Sequence, residues 1–168
     1  MSPTKLPPEH HIVRNVPWNK LRKDDGDPEN VIGVLGAAFI MRPVDDTLST
    51  TWLEYFHGSK DMQIQSAVRA MRASKLAIKS KSGFAVGMVR DIVSVAANKS
   101  YSIRILHEPE DDNRAHVAVR RWPREDMELF ELLASEAWSQ FVLNKDVPDG
   151  AEPAPDQGAW IESPSELS

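Results

Sequence analysis

The sequence predicts an α+β domain: a mainly antiparallel sheet with two or three helices packed on one face of it. Three observations carry this. Residues 101–107 and 115–121 alternate apolar and polar side chains and flank a turn-rich segment, the pattern of an antiparallel hairpin. Residues 61–79 and 123–141 have the composition or spacing of helices. The chain has 168 residues and is 41% hydrophobic, enough for one core without covalent staples.

Taken in order, residues 1–9 are rich in proline and polar groups and read as an extended, flexible arm. Residues 11–16 read as a short strand ended by Pro17. Residues 20–30 crowd charges around Gly26 and Pro28 and read as a loop. The apolar run 31–41 favours a buried strand over a helix. In 49–56, Thr51 and Glu54 have the spacing of a capping box and predict a helix start, with Gly58 as a stop. Residues 61–79 contain neither proline nor glycine and predict a helix. Residues 83–89 and 92–95 read as strand, with a bulge at Gly87. Pro123 suits a first helical position, and Phe130, Leu133, Ala134, Ala137 and Phe141 then line one face. The expected organisation is an arm over 1–9, one domain over 10–145 and an acidic, flexible tail over 146–168.

The net charge is −5. Residues 146–168 hold six acidic residues and no basic one, while 60–104 hold nine Lys or Arg against Asp61 and Asp91. Such asymmetry favours an acidic partner for the middle of the chain or a solubilising role for the tail. The absence of cysteine excludes disulfides, thiolate metal sites and cysteine nucleophiles. It fits a reducing, cytoplasmic location. No run is long and apolar enough to span a bilayer, so no membrane partner is expected. Walker loops, dinucleotide fingerprints and nucleophile elbows are missing, so no cofactor is expected.

Three groups of residues are candidates for function. His107 and His116 bracket an acidic turn holding Glu110, Asp111 and Asp112. Imidazoles on facing strands, with Asp112 between, suit proton transfer or metal binding if they converge. Turn formation alone explains the Pro, Asp and Asn residues, and no standard ligand spacing is present. Arg69, Arg72, Lys75 and Lys79 are spaced to form one stripe on a helix, able to track phosphates of a nucleic acid or another anion. Trp18, Trp52 and Trp160 are candidate partner contacts. Trp18, with His11, Arg14 and Arg22, also suits an anionic ligand.

The stretch from His107 through Pro109, Asp111 and Asn113 to Ala115-His116, with Leu48-Ser49 upstream and Phe84-Ala85-Val86-Gly87 between, resembles small uncharacterised bacterial proteins. In these an acidic-proline turn runs into Asn-Pro-Ala-His; Arg114 stands in place of that proline. The resemblance implies no activity; it implies a place in a bacterial multicomponent system, including defence systems. The leading expectation is a non-catalytic accessory subunit that docks to a larger protein. The alternatives are a small enzyme acting on a nucleotide-like anion through His107 and His116, with Arg14, Arg120 or Arg121 holding charge, and a nucleic-acid-binding protein using the basic helix.

Overall fold

The computed structural model describes residues 3–149. Nine strands and three α-helices follow one another as β1 (Thr4–Lys5), β2 (His11–Val16), β3 (Leu21–Asp24), β4 (Asp27–Val34), β5 (Leu48–Trp52), α1 (Lys60–Ala73), β6 (Gly83–Met88), α2 (Val89–Asn98), β7 (Arg104–His107), β8 (His116–Arg120), α3 (Met127–Glu136) and β9 (Gln140–Leu143). Seven strands form one antiparallel sheet in the order β1-β7-β8-β5-β2-β6-β9; β3 and β4 form a separate hairpin. The α+β class and the β7–β8 pairing are as the alternation predicts.

The helices do not share one face. Strand alternation sends Ile12, Val16 and Ala85 to a core shared with Ile92 of α2 and Leu129, Phe130 and Leu133 of α3. It sends Val13, Phe84 and Val86 to the opposite face, where they meet Ile64, Ala67, Val68 and Met71 of α1. Both β2 and β6 thus bury apolar residues on each side, and β6, Gly83–Met88, reads as a near-continuous apolar run.

Several elements depart from the sequence-based expectation. Residues 92–95 are helical, not a strand. Val89, Ile92 and Ala96 form the buried side of α2, so packing overrides the β-branched preference of Ile-Val-Ser-Val. Residues 48–52 are strand β5, followed by one 3₁₀ turn at Leu53–Tyr55. Thr51 therefore pairs with Val13 and His116 instead of capping a helix. Residues 20–30 are mostly hairpin: exposure of nearly every residue lets strands be charged. The run 31–41 is strand only to Val34, then turns through Gly36–Phe39. Helix α3 starts not at Pro123 but at Met127, where Asp126 accepts the Leu129 amide at 3.0 Å. Phe141 lies in β9.

Gly87 makes no bulge: β6 pairs with β2 residue by residue. Its missing Cβ admits the Trp138 ring and the Ala137 carbonyl, each 2.8 Å from where a methyl would sit. Trp138 is fully buried, stacks on Phe39 and donates Nε1–H to the Ala85 carbonyl at 3.2 Å. At the N-terminus, Thr4 and Lys5 pair with His107 and Leu106, and Leu6 is buried. The expected arm thus contributes an edge strand. At the other end Val147 is buried beside α1. Most of the expected tail, including Trp160, lies outside the described residues.

Candidate functional site

On the face bearing α1, the helix packs over β2 and β6. The β7–β8 half of that face is buried as well at Leu106 and Ala118, 5% and 1% exposed. On this half the register sets Ser49 and Leu106 beside Ala118, Thr51 beside His116 and Arg104 beside Arg120. Ser49, Arg104 and Arg120 are exposed. The result is a polar patch on a rigid antiparallel platform.

His116 is the best-organised ring on the patch. Only 7% of the residue is exposed. Its Nδ1 lies 2.9 Å from the Glu108 carbonyl, and its Nε2 lies 2.7 Å from Ser49 Oγ. A carbonyl can only accept, so Nδ1 carries a proton, and in the neutral ring Nε2 is left to accept from the Ser49 hydroxyl. The Glu110 carboxylate is 3.6 Å from Nε2. The Glu108 carboxylate binds Arg120 through two contacts of 2.5 and 2.7 Å. That fork holds Glu108 below the usual carboxylate range and raises Arg120.

His107 takes no part in this arrangement. It pairs with Val117, so His116 projects from the opposite face of the sheet. The His107 ring donates from Nε2 to the Arg114 carbonyl at 2.8 Å and packs edge-on to Trp52, centroids 5.0 Å apart. The two imidazoles therefore do not converge on one ligand position. Asp112 is elsewhere again, accepting the Lys75 amide at 2.8 Å. Among the described residues no group of three or more His, Asp or Glu is arranged to hold a metal ion.

The basic stripe also fails to form. Helix α1 stops at Ala73, because Ser74 turns extended and caps it, so Lys75 and Lys79 leave the helix. Arg72 turns inward to the chain after β9. Arg69 contacts Gln65 at 3.3 Å. Trp18 lies under Lys23 and Lys81, whose Nζ atoms sit 4.3 and 4.7 Å from its ring. Trp52 is half-buried between the two cores and donates to His10 Nδ1 at 3.0 Å. Glu54, which the spacing assigns to a helix cap, instead accepts the His11 amide at 2.7 Å and meets its ring at 2.5 Å.

Beside the patch, residues 40–47 form a loop held from beneath. Arg14 fills the gap where β2 and β5 diverge. Its Nε donates to the Ala38 carbonyl at 2.7 Å, and its Nη atoms donate to Ser49 O at 2.8 Å and Ile40 O at 3.5 Å. Desolvation lowers its pKa to about 10, against the opposing pull of Asp45, so it stays charged at neutral pH. From the other side Arg124 donates to the Asp45 and Pro43 carbonyls at 2.6 and 3.5 Å. Within the loop Arg42 forks onto Asp45 at 2.9 and 3.0 Å. Yet Val44 is 80% exposed, and Ile40 and Arg42 also face outward.

No sequence signal marks this loop, since 42–46 reads only as a turn. Ser49 lay within the resembling stretch, but nothing there paired it with a residue 67 positions away. No protein-family model matches the chain, and no curated protein or solved structure matches it.

Proposed function

We propose that the protein is a binding module, an accessory subunit that docks to a larger protein through loop 40–47. One observation carries the reading: the loop's backbone is tied down by Arg14 and Arg124 while Val44, Ile40 and Arg42 are left outward. An exposed aliphatic side chain on a mobile loop is ordinary. On a loop whose backbone is already tethered, it meets a partner without much of the entropic cost of ordering the loop, which favours docking.

The test is site-specific photocrosslinking in the native host. A photoreactive residue at position 44 is expected to give one discrete protein adduct. The same residue at Val93, an exposed apolar position on α2, is expected to give none. Substituting Ile40→Asp should abolish the adduct without changing the circular dichroism spectrum. Equal, diffuse labelling from both positions overturns the reading.

A further inference from the structure

We propose that Ser49 and His116 form a nucleophile–base pair, able to take an acyl or phosphonyl group from an activated ester at the exposed Ser49. The inference goes beyond docking and does not depend on it.

Three features make the pair more than a satisfied buried histidine. First, its polarity is right. The Glu108 carbonyl at 2.9 Å forces the proton onto Nδ1, so Nε2 presents a lone pair to the Ser49 hydroxyl at 2.7 Å. An oriented base within hydrogen-bond reach of a hydroxyl is the arrangement that activates a serine. Here a main-chain carbonyl plays the orienting part that a carboxylate plays in a triad. Second, the pair is asymmetric in exposure: His116 is buried, Ser49 is exposed. The base is locked and the nucleophile is open to solvent. Third, the charged groups facing the ring suit an imidazolium. Glu110 lies 3.6 Å from Nε2, while Arg120 is neutralised by its fork with Glu108. A proton arriving at Nε2 therefore meets a carboxylate, not an uncompensated cation.

The step balances without a further reagent. Ser49 Oγ attacks the carbonyl carbon of an ester as its proton passes to His116 Nε2. The bond to the leaving alkoxide breaks, and His116 returns the proton to that oxygen. The products are a Ser49 ester and an alcohol. Attack by water, with its proton taken by the same nitrogen, releases the acid and restores Ser49. With a fluorophosphonate the bond formed is Oγ–P, the bond broken is P–F, and fluoride leaves.

The experiment treats the full chain with a fluorophosphonate probe and maps the adducts by peptide mass spectrometry. Ser102, exposed and just before β7, is the internal reference. General-base assistance predicts Ser49 modification about 100-fold faster than Ser102. Ser49→Ala should remove the adduct, and His116→Gln should slow it to the rate of Ser102. If His116→Gln does not fold, the wild-type ratio decides alone. A Ser49 rate equal to that of Ser102 overturns the proposal. That result does not bear on crosslinking from loop 40–47, so the two readings fail separately.

Discussion

Arg72→Met should loosen the end of the fold and lower its thermal stability. Arg72 lies in the last turn of α1 and gathers the chain that follows β9. Its Nε and Nη2 donate to Asn144 Oδ1 at 2.9 and 2.7 Å. Nη2 also reaches the carbonyls of Asn144 and Val147 at 2.9 and 2.8 Å. Methionine keeps much of the stem and removes every donor. Hydrogen bonds to a charged group contribute about 1.5–3 kcal/mol each. Four bonds from one guanidinium are not independent, and carbonyls at the rim regain water. About two full bonds survive that discount, or roughly 3 kcal/mol. The contact to Asp149, whose side chain is 97% exposed, adds nothing. Val147 is buried in the same core as Val68 and Met71, so the segment unfolds with the domain. At this chain length each kcal/mol shifts Tm by about 2–4 °C, giving a drop of roughly 6–12 °C. Thermal denaturation followed by circular dichroism reads the drop, and hydrogen exchange at the Val147 amide reads its origin. A shift under about 2 °C with unchanged exchange would refute the clamp.

Three further outcomes follow from single contacts. Gly87→Ala should destabilise by about 1–3 kcal/mol or more in urea unfolding, because its methyl would sit 2.8 Å from the Ala137 carbonyl and the buried Trp138 ring; wild-type stability would disprove that packing. Arg14→Lys keeps the charge but cannot fork between the Ala38 and Ser49 carbonyls. Amide exchange at Ile40 and Asp45 should then rise, and unchanged protection there contradicts the role given to Arg14. Glu108, held below its ordinary range first by its bonds to Arg120, adds stability above the unfolded carboxylate value of about 4.3. That contribution disappears as pH falls through the lower folded value. In an NMR titration Arg120→Gln should move the Glu108 midpoint upward, and an unmoved midpoint would exclude the pairing as its cause.

What was legible in the sequence was periodicity. Strands β7 and β8 show it through Ile105, Val117 and Val119 on one face, although Leu106, His116 and Ala118 on the other are buried too, and α3 shows its face through Phe130, Leu133, Ala134 and Ala137. Other elements were hidden. Helix α2 carries Ile92, Val93 and Val95, residues that suit strands, and only the three-and-four spacing of Val89, Ile92 and Ala96 betrays it. The β3–β4 hairpin fully buries only its ends, at Leu21 and Val34, so residues 22–30 carry no apolar signature. Glu54 sits at a capping distance from Thr51 by spacing alone, while the fold uses it to hold His11. The candidate site was hidden for a related reason. Ser49 and loop 40–47 acquire meaning from Arg14, His116 and Arg124, each supplied by a different strand or loop, and periodicity carries no information about such meetings.

The two histidines show how far one residue of register can divide similar side chains. Glu110 and Asn113 bridge across the tip of the loop. Continued back along both arms, that register would pair His107 with His116 and put both rings on one face. The arms do not continue it. Asn113 accepts the Ala115 amide on its side chain and the His116 amide on its carbonyl, at 3.1 Å each, forming a second turn. This inserts one residue on the β8 side, and the pairing that emerges is His107 with Val117. Because strand side chains alternate, the shift sends the rings to opposite faces. His107 is left bracing the loop against Trp52, and His116 is delivered to Ser49. Asn113, itself anchored to Thr51 at 3.0 Å, is therefore the residue on which the Ser49–His116 contact turns, although its own bonds in this turn go to Thr51 and to the Ala115 and His116 amides.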